Sequence, residues 1–221
     1  MAPLLSLVVP VLADAAAAGR LLRQLPHDPR LERILVDGGD DPALVALAAA
    51  HGAALVRSRP GRAVQMNAGA ARARGEWLLF LHADSRLPDG WIEAFVRATP
   101  GAAGGWFRFA LDDRAWQARL IERGVRWRVR LLRLPYGDQG VFVRRELFAR
   151  LGGFREIPLM EDVDLVRRLV ASGPVVELPV ALTTSARRWR RDGWFRRSAR
   201  NLVLITLYFC GVSPARLARW Y

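Results

Sequence analysis

Apolar runs alternating with helix-length segments constrain this chain more than any other feature. Residues 5–10 (LSLVVP), 32–37 (ERILVD), 54–57 (ALVR) and 77–82 (WLLFLH) read as strands. Between them, 14–25, 42–51 and 61–74 read as helices, with Gly52 and Gly75 placed to end the second and third. Strands joined by helical crossovers build βαβ units, so the fold class is α/β with a mainly parallel central sheet flanked by helices. The last run is continuously apolar, as in an inner strand buried on both faces. It stops on His82-Ala83-Asp84. Open α/β sheets take ligands at the carboxyl ends of their strands, so two polar side chains stand where chemistry is expected. A solvated strand end opening a turn accounts for the same residues.

Past residue 88 the rhythm changes. Residues 91–97 read as a helix and 106–111 as a strand with one wet face. A long basic helix follows over 114–134, with Trp116, Leu120, Trp127, Leu131 and Leu134 on one stripe. Strands at 140–143 and 175–178 and helices at 162–171 and 194–209 complete the pattern. There is no internal repeat and no low-complexity linker. The expected organisation is one domain over 1–190, with a nucleotide-binding half (1–87) and an acceptor and catalytic half (88–190). A helical basic tail over 191–221 follows it.

Composition narrows the chemistry. The net charge of +13 calls for an anionic partner: nucleic acid, an acidic membrane surface or phosphates. All 34 basic residues are arginine, which excludes a Schiff-base lysine and a P-loop lysine. Cys210 is the only cysteine, so an internal disulfide and a multi-cysteine zinc site are excluded. It is expected to be a small buried residue. The N-terminal stretch lacks a positive start and makes a poor secretory signal. The apolar run at 202–211 is about half a membrane span. The expectation is a cytoplasmic protein that can touch a membrane surface.

Four polar clusters fall at predicted loops. Asp37-Gly38-Gly39 offers a carboxylate for a base or ribose beside two glycines that permit close approach, and it is equally an ordinary turn signal. Arg62, at a helix start followed by Gln65 and Asn67, can meet a diphosphate or simply be an exposed loop arginine. Asp84 is a hard oxygen ligand of the kind that holds Mg²⁺ or Mn²⁺ in phosphate chemistry. His82 can reach such an ion through water, reach the ribose, or be structural. Glu161 and Asp162, with Asp164, are ordinary partners for a helix N-terminus, yet the loop before them can present a general base.

Their order matters more than any one of them. Asp-Gly-Gly, Gly-Arg-x-x-Gln-x-Asn (61–67), Leu-His-Ala-Asp (81–84) and Glu-Asp (161–162) stand on a βαβ frame. To these add Gly104-Gly105-Trp106-Phe107, Tyr136-Gly137-Asp138-Gln139-Gly140 and Gly152-Gly153-Phe154. In this the chain resembles the family 2 glycosyltransferases with the GT-A fold and, within them, the rSAM/selenodomain-associated transferase 2 subgroup. The resemblance implies that Val9, Pro10 and Asp37 lie near the nucleotide base, and Arg62 and Asn67 near ribose and diphosphate. It puts His82-Ala83-Asp84 in place of the family's Asp-x-Asp, so that Asp84 binds a divalent cation. Asp162, beside Glu161, becomes the catalytic base. Gly105, Asp138 and Gln139 flank sugar and acceptor, and Arg187, Arg188 and Trp189 form an Arg-Trp element near the diphosphate. The implied reaction transfers a sugar, with inversion, from a nucleotide-sugar donor, UDP-sugar favoured, to an unknown hydroxyl acceptor. Two positions depart from the pattern: Ala13-Asp14 where the family often has Asn-Glu, and His82 for the first Asp.

The tail carries Arg187, Arg188, Arg190, Arg191, Arg196, Arg197 and Arg200 ahead of an apolar segment. It reads either as a docked helix with a solvated arginine face or as an amphipathic element on an anionic membrane, which would suit a lipid-linked acceptor. A sugar-nucleotide nucleotidylyltransferase is a poor match, because the first loop is not glycine-rich and lysine is absent. A nucleic-acid-binding protein would use the arginines, but carboxylates at positions 84, 138, 161 and 162 would repel phosphate.

Overall fold

The computed structural model describes residues 3–221. Among the described residues eight strands form one sheet: β1 Leu5–Val11, β2 Leu31–Asp37, β3 Ala54–Arg57, β4 Trp77–Phe80, β5 Ser85–Arg86, β6 Gly104–Leu111, β7 Val141–Arg144 and β8 Val175–Thr184. Their order is β3-β2-β1-β4-β7-β6-β8-β5. The first four strands pair in parallel; β7 runs antiparallel to both β4 and β6, and β8 is parallel to β6. The helices are α1 Ala15–Gln24, α2 Ala43–Ala50, α3 Arg62–Arg72, α4 Trp91–Ala98, α5 Trp116–Leu132, α6 Arg145–Arg150, α7 Glu161–Ser172, α8 Arg187–Asp192, α9 Trp194–Phe209 and α10 Pro214–Ala218.

The continuous apolar runs are explained by two buried faces. Successive strand side chains point to opposite sides. Leu7, Val9, Leu35 and Leu79 pack with Leu21 of α1, Leu44 of α2 and Phe95 of α4. Val8, Ile34, Leu78 and Phe80 pack on the other face with Met66 of α3, Phe148 of α6 and Leu165 of α7. The central positions of each inner strand therefore need apolar residues on both faces.

Two expectations are corrected, the end of one strand and the burial of Cys210. The strand expected over 175–178 runs on to Thr184, through Pro179. The β6–β8 ladder slips between Phe107 and Arg108, passing from the Leu178 pairing to Ala181, and this irregularity accommodates a residue with no N–H. The stripe on the long helix faces outward: Trp116, Leu120, Trp127 and Leu131 are exposed, and only Leu134, just past the helix end, is buried. Cys210 is exposed, because it follows the last turn of α9 on its outer side. The tail packs on the domain through one face of α9. Ile205 of α9 is buried with Leu134 and Val163, so the C-terminal helix docks on α7.

Candidate active site

The carboxyl ends of β1 and β4, the start of α3, the start of α7 and the helix α8 meet around one crevice. Its outer part, about 730 Å³, is lined by Pro10, Leu12, Asp14, Arg62, His82, Asp84, Glu161, Arg187 and Arg188. That volume suits a drug- or nucleotide-sized ligand. A smaller inner recess shares Arg62, His82, Asp84 and Arg188 and adds Tyr136, Asp138, Asp162, Trp189 and Leu204.

Local structure explains how the acidic groups come together. Asp162 is in the first turn of α7, where free N–H groups and the helix dipole favour a negative charge. Its Oδ1 accepts from the N–H of Val163 at 2.8 Å, and its Oδ2 from the N–H of Gly137 at 2.5 Å. Gly137 opens a short 3-10 turn, Gly137–Gln139. A Cβ there would lie 3.0 Å from Asp162 Oδ2 and 3.2 Å from His82 Nε2, so a glycine lets this loop pass between the two side chains. The residue leading into α7, Met160, has φ of +69°, a left-handed conformation that a non-glycine side chain rarely adopts. Such outliers gather at functional sites, and Met160 lines the recess.

Charge is distributed unevenly around the recess. Burial, together with the nearby Arg62 and Arg188, pushes His82 down to about 3, so its imidazole is neutral at ordinary pH. Burial pushes Asp138 up to about 6, and its Oδ1 is buried without a hydrogen-bond partner. Glu161 is held above the usual carboxylate range by burial and the neighbouring Asp162, although Arg62 pulls the other way. Its Oε1 lies 3.0 Å from Arg62 Nη1. Arg62 therefore links the outer crevice, which it lines, to the first turn of α7.

Asp84 differs from all of these: no hydrogen bond or ion pair to its carboxylate is found among the described residues, and it faces both parts of the crevice. No group of three His, Cys, Asp or Glu side chains among the described residues is placed to hold a metal ion alone. A cation shared with phosphates needs only one or two carboxylates. The donor set thus fits Mg²⁺ or Mn²⁺ completed by a diphosphate, and it does not fit a self-contained protein cage.

Pro10, Arg62, His82, Asp84, Asp138, Glu161, Asp162, Arg187 and Arg188 all line the crevice or its recess. Five other expected site residues stand apart from those linings, each with a structural occupation. Val9 is in the core, 1% exposed. Asp37, 2% exposed, accepts the N–H groups of Gly39 and Asp41, so its carboxylate folds its own turn. Asn67 exchanges two hydrogen bonds with the backbone of Phe154 and clamps that loop to α3. Gly105 sits inside the sheet, where a Cβ would come 1.9 Å from the Val176 carbonyl oxygen. Gln139 is buried and donates to the Phe107 carbonyl. Short polar residues after strands signal turns and sites alike, and only packing separates the two. Sequence reasoning did not assign Tyr136, Met160, Ser185 or Asn201 to the site, though all line the recess. Asp14 lines the outer crevice and also caps α1 through Ala17 N–H.

Residues 6–149 match the model of the family described as "Glycosyl transferase family 2". No curated protein is similar to the chain at a significant level. Among solved structures, S. aureus TarS residues 1–349 in complex with UDP-GlcNAc superposes with a TM-score of 0.62 at 14% identity, over 82% of this chain and 58% of that one. A second S. aureus TarS structure gives 0.63 at 14% identity, over 96% of this chain and 41% of that one. The chain thus spans about half the length of these structural relatives, and the likeness is one of fold.

Proposed function

We propose, from the premise that this chain belongs to glycosyl transferase family 2, that it moves a sugar from a nucleoside diphosphate, UDP-sugar favoured, to an acceptor hydroxyl. The observation that carries the reading is the meeting of an unpaired carboxylate, Asp84, with the α7 carboxylate, Asp162, in one crevice flanked by Arg62 and Arg188. The TarS fold relative was solved in complex with UDP-GlcNAc, which supports a nucleotide-sugar donor. The string of motifs supports placement in the rSAM/selenodomain-associated subgroup.

In this reading the donor lies in the outer crevice, its diphosphate between Asp84 and the guanidinium groups of Arg62, Arg187 and Arg188. Asp84 would hold a divalent cation, Mg²⁺ or Mn²⁺, which would supply positive charge at the leaving diphosphate. Arg62 and Arg188 add preorganised charge where negative charge develops. Asp162 takes the proton from the acceptor hydroxyl; its two backbone donors fix the carboxylate and leave further lone pairs free. One displacement from the opposite face inverts the anomeric carbon. Neutral His82 accepts or donates one hydrogen bond beside Asp84 without adding charge. Asp37 and Asn67 support the donor loops from behind.

The recess has an apolar side made by Leu159, Met160, Leu204 and Ile205. This supports an acceptor with a hydrophobic portion, such as a lipid-linked one, met on the cytoplasmic face of a membrane. Free carboxylates in the crevice disfavour a nucleic-acid ligand.

The test is a thermal-shift panel of UDP-, GDP- and dTDP-sugars with and without Mn²⁺. A ligand at a hundred times its Kd stabilises the fold by about 2.7 kcal/mol, so the true donor stands out. UDP-sugar with Mn²⁺ is expected to give the largest shift, and Asp84→Ala to abolish the metal-dependent part. A panel in which no nucleotide sugar stabilises the protein would overturn the reading.

A further inference from the structure

Helix α5 buries Ala118, Glu122 and Val129 toward the domain. Its opposite face is also apolar. Trp116, Leu120, Trp127 and Leu131 follow an i, i+4, i+11, i+15 spacing that lays them on one stripe at about 3.6 residues per turn. Trp116, Trp127 and Leu131 are 65%, 62% and 70% exposed, so none of the described residues covers the stripe. Helix α9 repeats the arrangement. Its inner face carries Leu204 and Ile205, while Phe195 and Leu202 point outward. The two outer faces join where the rings of Trp116 and Phe195 meet at 5.9 Å. Fourteen large hydrophobic side chains are exposed among the described residues, and nine of them belong to α5 and α9. Scattered exposed hydrophobics need no explanation, but a joined patch marks an interaction surface.

The charge beside the patch selects its occupant. Arg123, Arg126 and Arg130 run along one flank of the α5 stripe, exposed and without an acidic partner among the described residues. We propose that α5 and α9 together form a docking face for an anionic phospholipid membrane, with the Trp and Leu side chains entering the headgroup boundary and the arginines meeting lipid phosphates. A second copy of the chain would bring equal rows of unpaired arginine together in a molecule of net charge +13. No helix among the described residues is long and apolar enough to cross a membrane, so this face lies on the bilayer. Helix α9 also lines the recess through Asn201 and Leu204 on its inner face, so the docking face and the recess share one helix. The proposal extends the lipid-linked acceptor reading, but vesicle binding requires neither donor nor metal and is tested separately.

The experiment is flotation of the full chain with vesicles of phosphatidylcholine plus phosphatidylglycerol, and with vesicles of phosphatidylcholine alone. Wild type is expected to float with the anionic vesicles, to be released by high salt, and to stay behind with the neutral ones. The Trp127→Ser, Leu131→Ser double variant changes only exposed side chains, and its melting temperature verifies folding. It is expected to lose about tenfold or more in vesicle partitioning while keeping the nucleotide-sugar thermal shift of wild type. Absence of flotation with anionic vesicles, equal flotation of the double variant, or equal binding to neutral vesicles would overturn the proposal. Light scattering that shows a dimer dissociated by the same substitutions would also overturn it and give the face to a second copy; salt-sensitive nucleic-acid binding lost in the variant, without flotation of wild type, would give it to nucleic acid.

Discussion

Glu161, Asp162 and Asp164 are neighbours in one helical turn, yet their surroundings give them separate tasks. Glu161 is buried against Arg62, and Asp164 is paired with Arg168 and Arg155. Asp162 faces the recess, with its acceptor geometry set by two backbone N–H groups. Asp162→Asn keeps an oxygen for Gly137 and removes the proton acceptor. Sugar transfer should fall by about 10²–10⁴ while the donor-induced thermal shift survives; loss of both would make Asp162 a structural residue. His82 allows a pH test. It stays neutral down to about 3, whereas a free histidine titrates at 6.5, so the unfolded chain binds more protons between those values. Stability from this group is therefore present above about pH 6.5 and lost as pH falls toward about 3. Asp138, raised from 3.8 to about 6, acts in the opposite sense over that narrower window. His82→Gln should make the melting temperature fall less on going from about pH 7 to about pH 5, and an unchanged slope would contradict the neutral imidazole.

At the scale of elements, the glycines that resemble site residues separate into two kinds. Gly137 makes room for side-chain chemistry, because a Cβ would crowd Asp162 and His82. Gly105 makes room for the sheet, where β6 passes close to β8 at the Val176 carbonyl. Gly105→Ala forces backbone apart and should cost about 3 kcal/mol in denaturant unfolding, with specific activity per folded molecule unchanged. A stable variant with altered acceptor preference would return Gly105 to the site. The strand and helix periods of the first half were legible because βαβ units repeat a local pattern. The outward stripe on α5 was legible as a stripe. Its direction was not, since an apolar face reads the same whether the covering surface is the domain's own or another's.

For the whole molecule, the tail decides the shape of the site. Ile205 is 5% exposed and packs with Leu134 and Val163, so α9 fastens to the helix that carries Asp162. Ile205→Ala should lower stability by about 2–5 kcal/mol by opening a cavity, and should weaken acceptor use more than donor binding. Equal effects on donor and acceptor would place α9 outside the acceptor region. The arginine surplus is a property of the same scale. Some of it is absorbed internally: Asp192, drawn down to about 2 chiefly by its bond to Arg191, also pairs with Arg197 at 2.7 Å. The exposed row on α5 has no acidic partner among the described residues.

The sequence by itself determined the α/β frame, the place of β4 inside it and the position of His82 and Asp84 at its carboxyl end, because strand burial and crossover length are written in local periodicity. It also determined what chemistry was absent, through the missing lysines and the lone cysteine. Only the tertiary structure decided which carboxylates share a crevice. Asp84 and Asp162 arrive there from β4 and α7, whereas Asp37 turns into its own loop and Asn67 and Gln139 are taken up by backbone groups. The physical reason is that a polar side chain commits its hydrogen bonds to whichever partners packing brings near, and those partners lie far away along the chain.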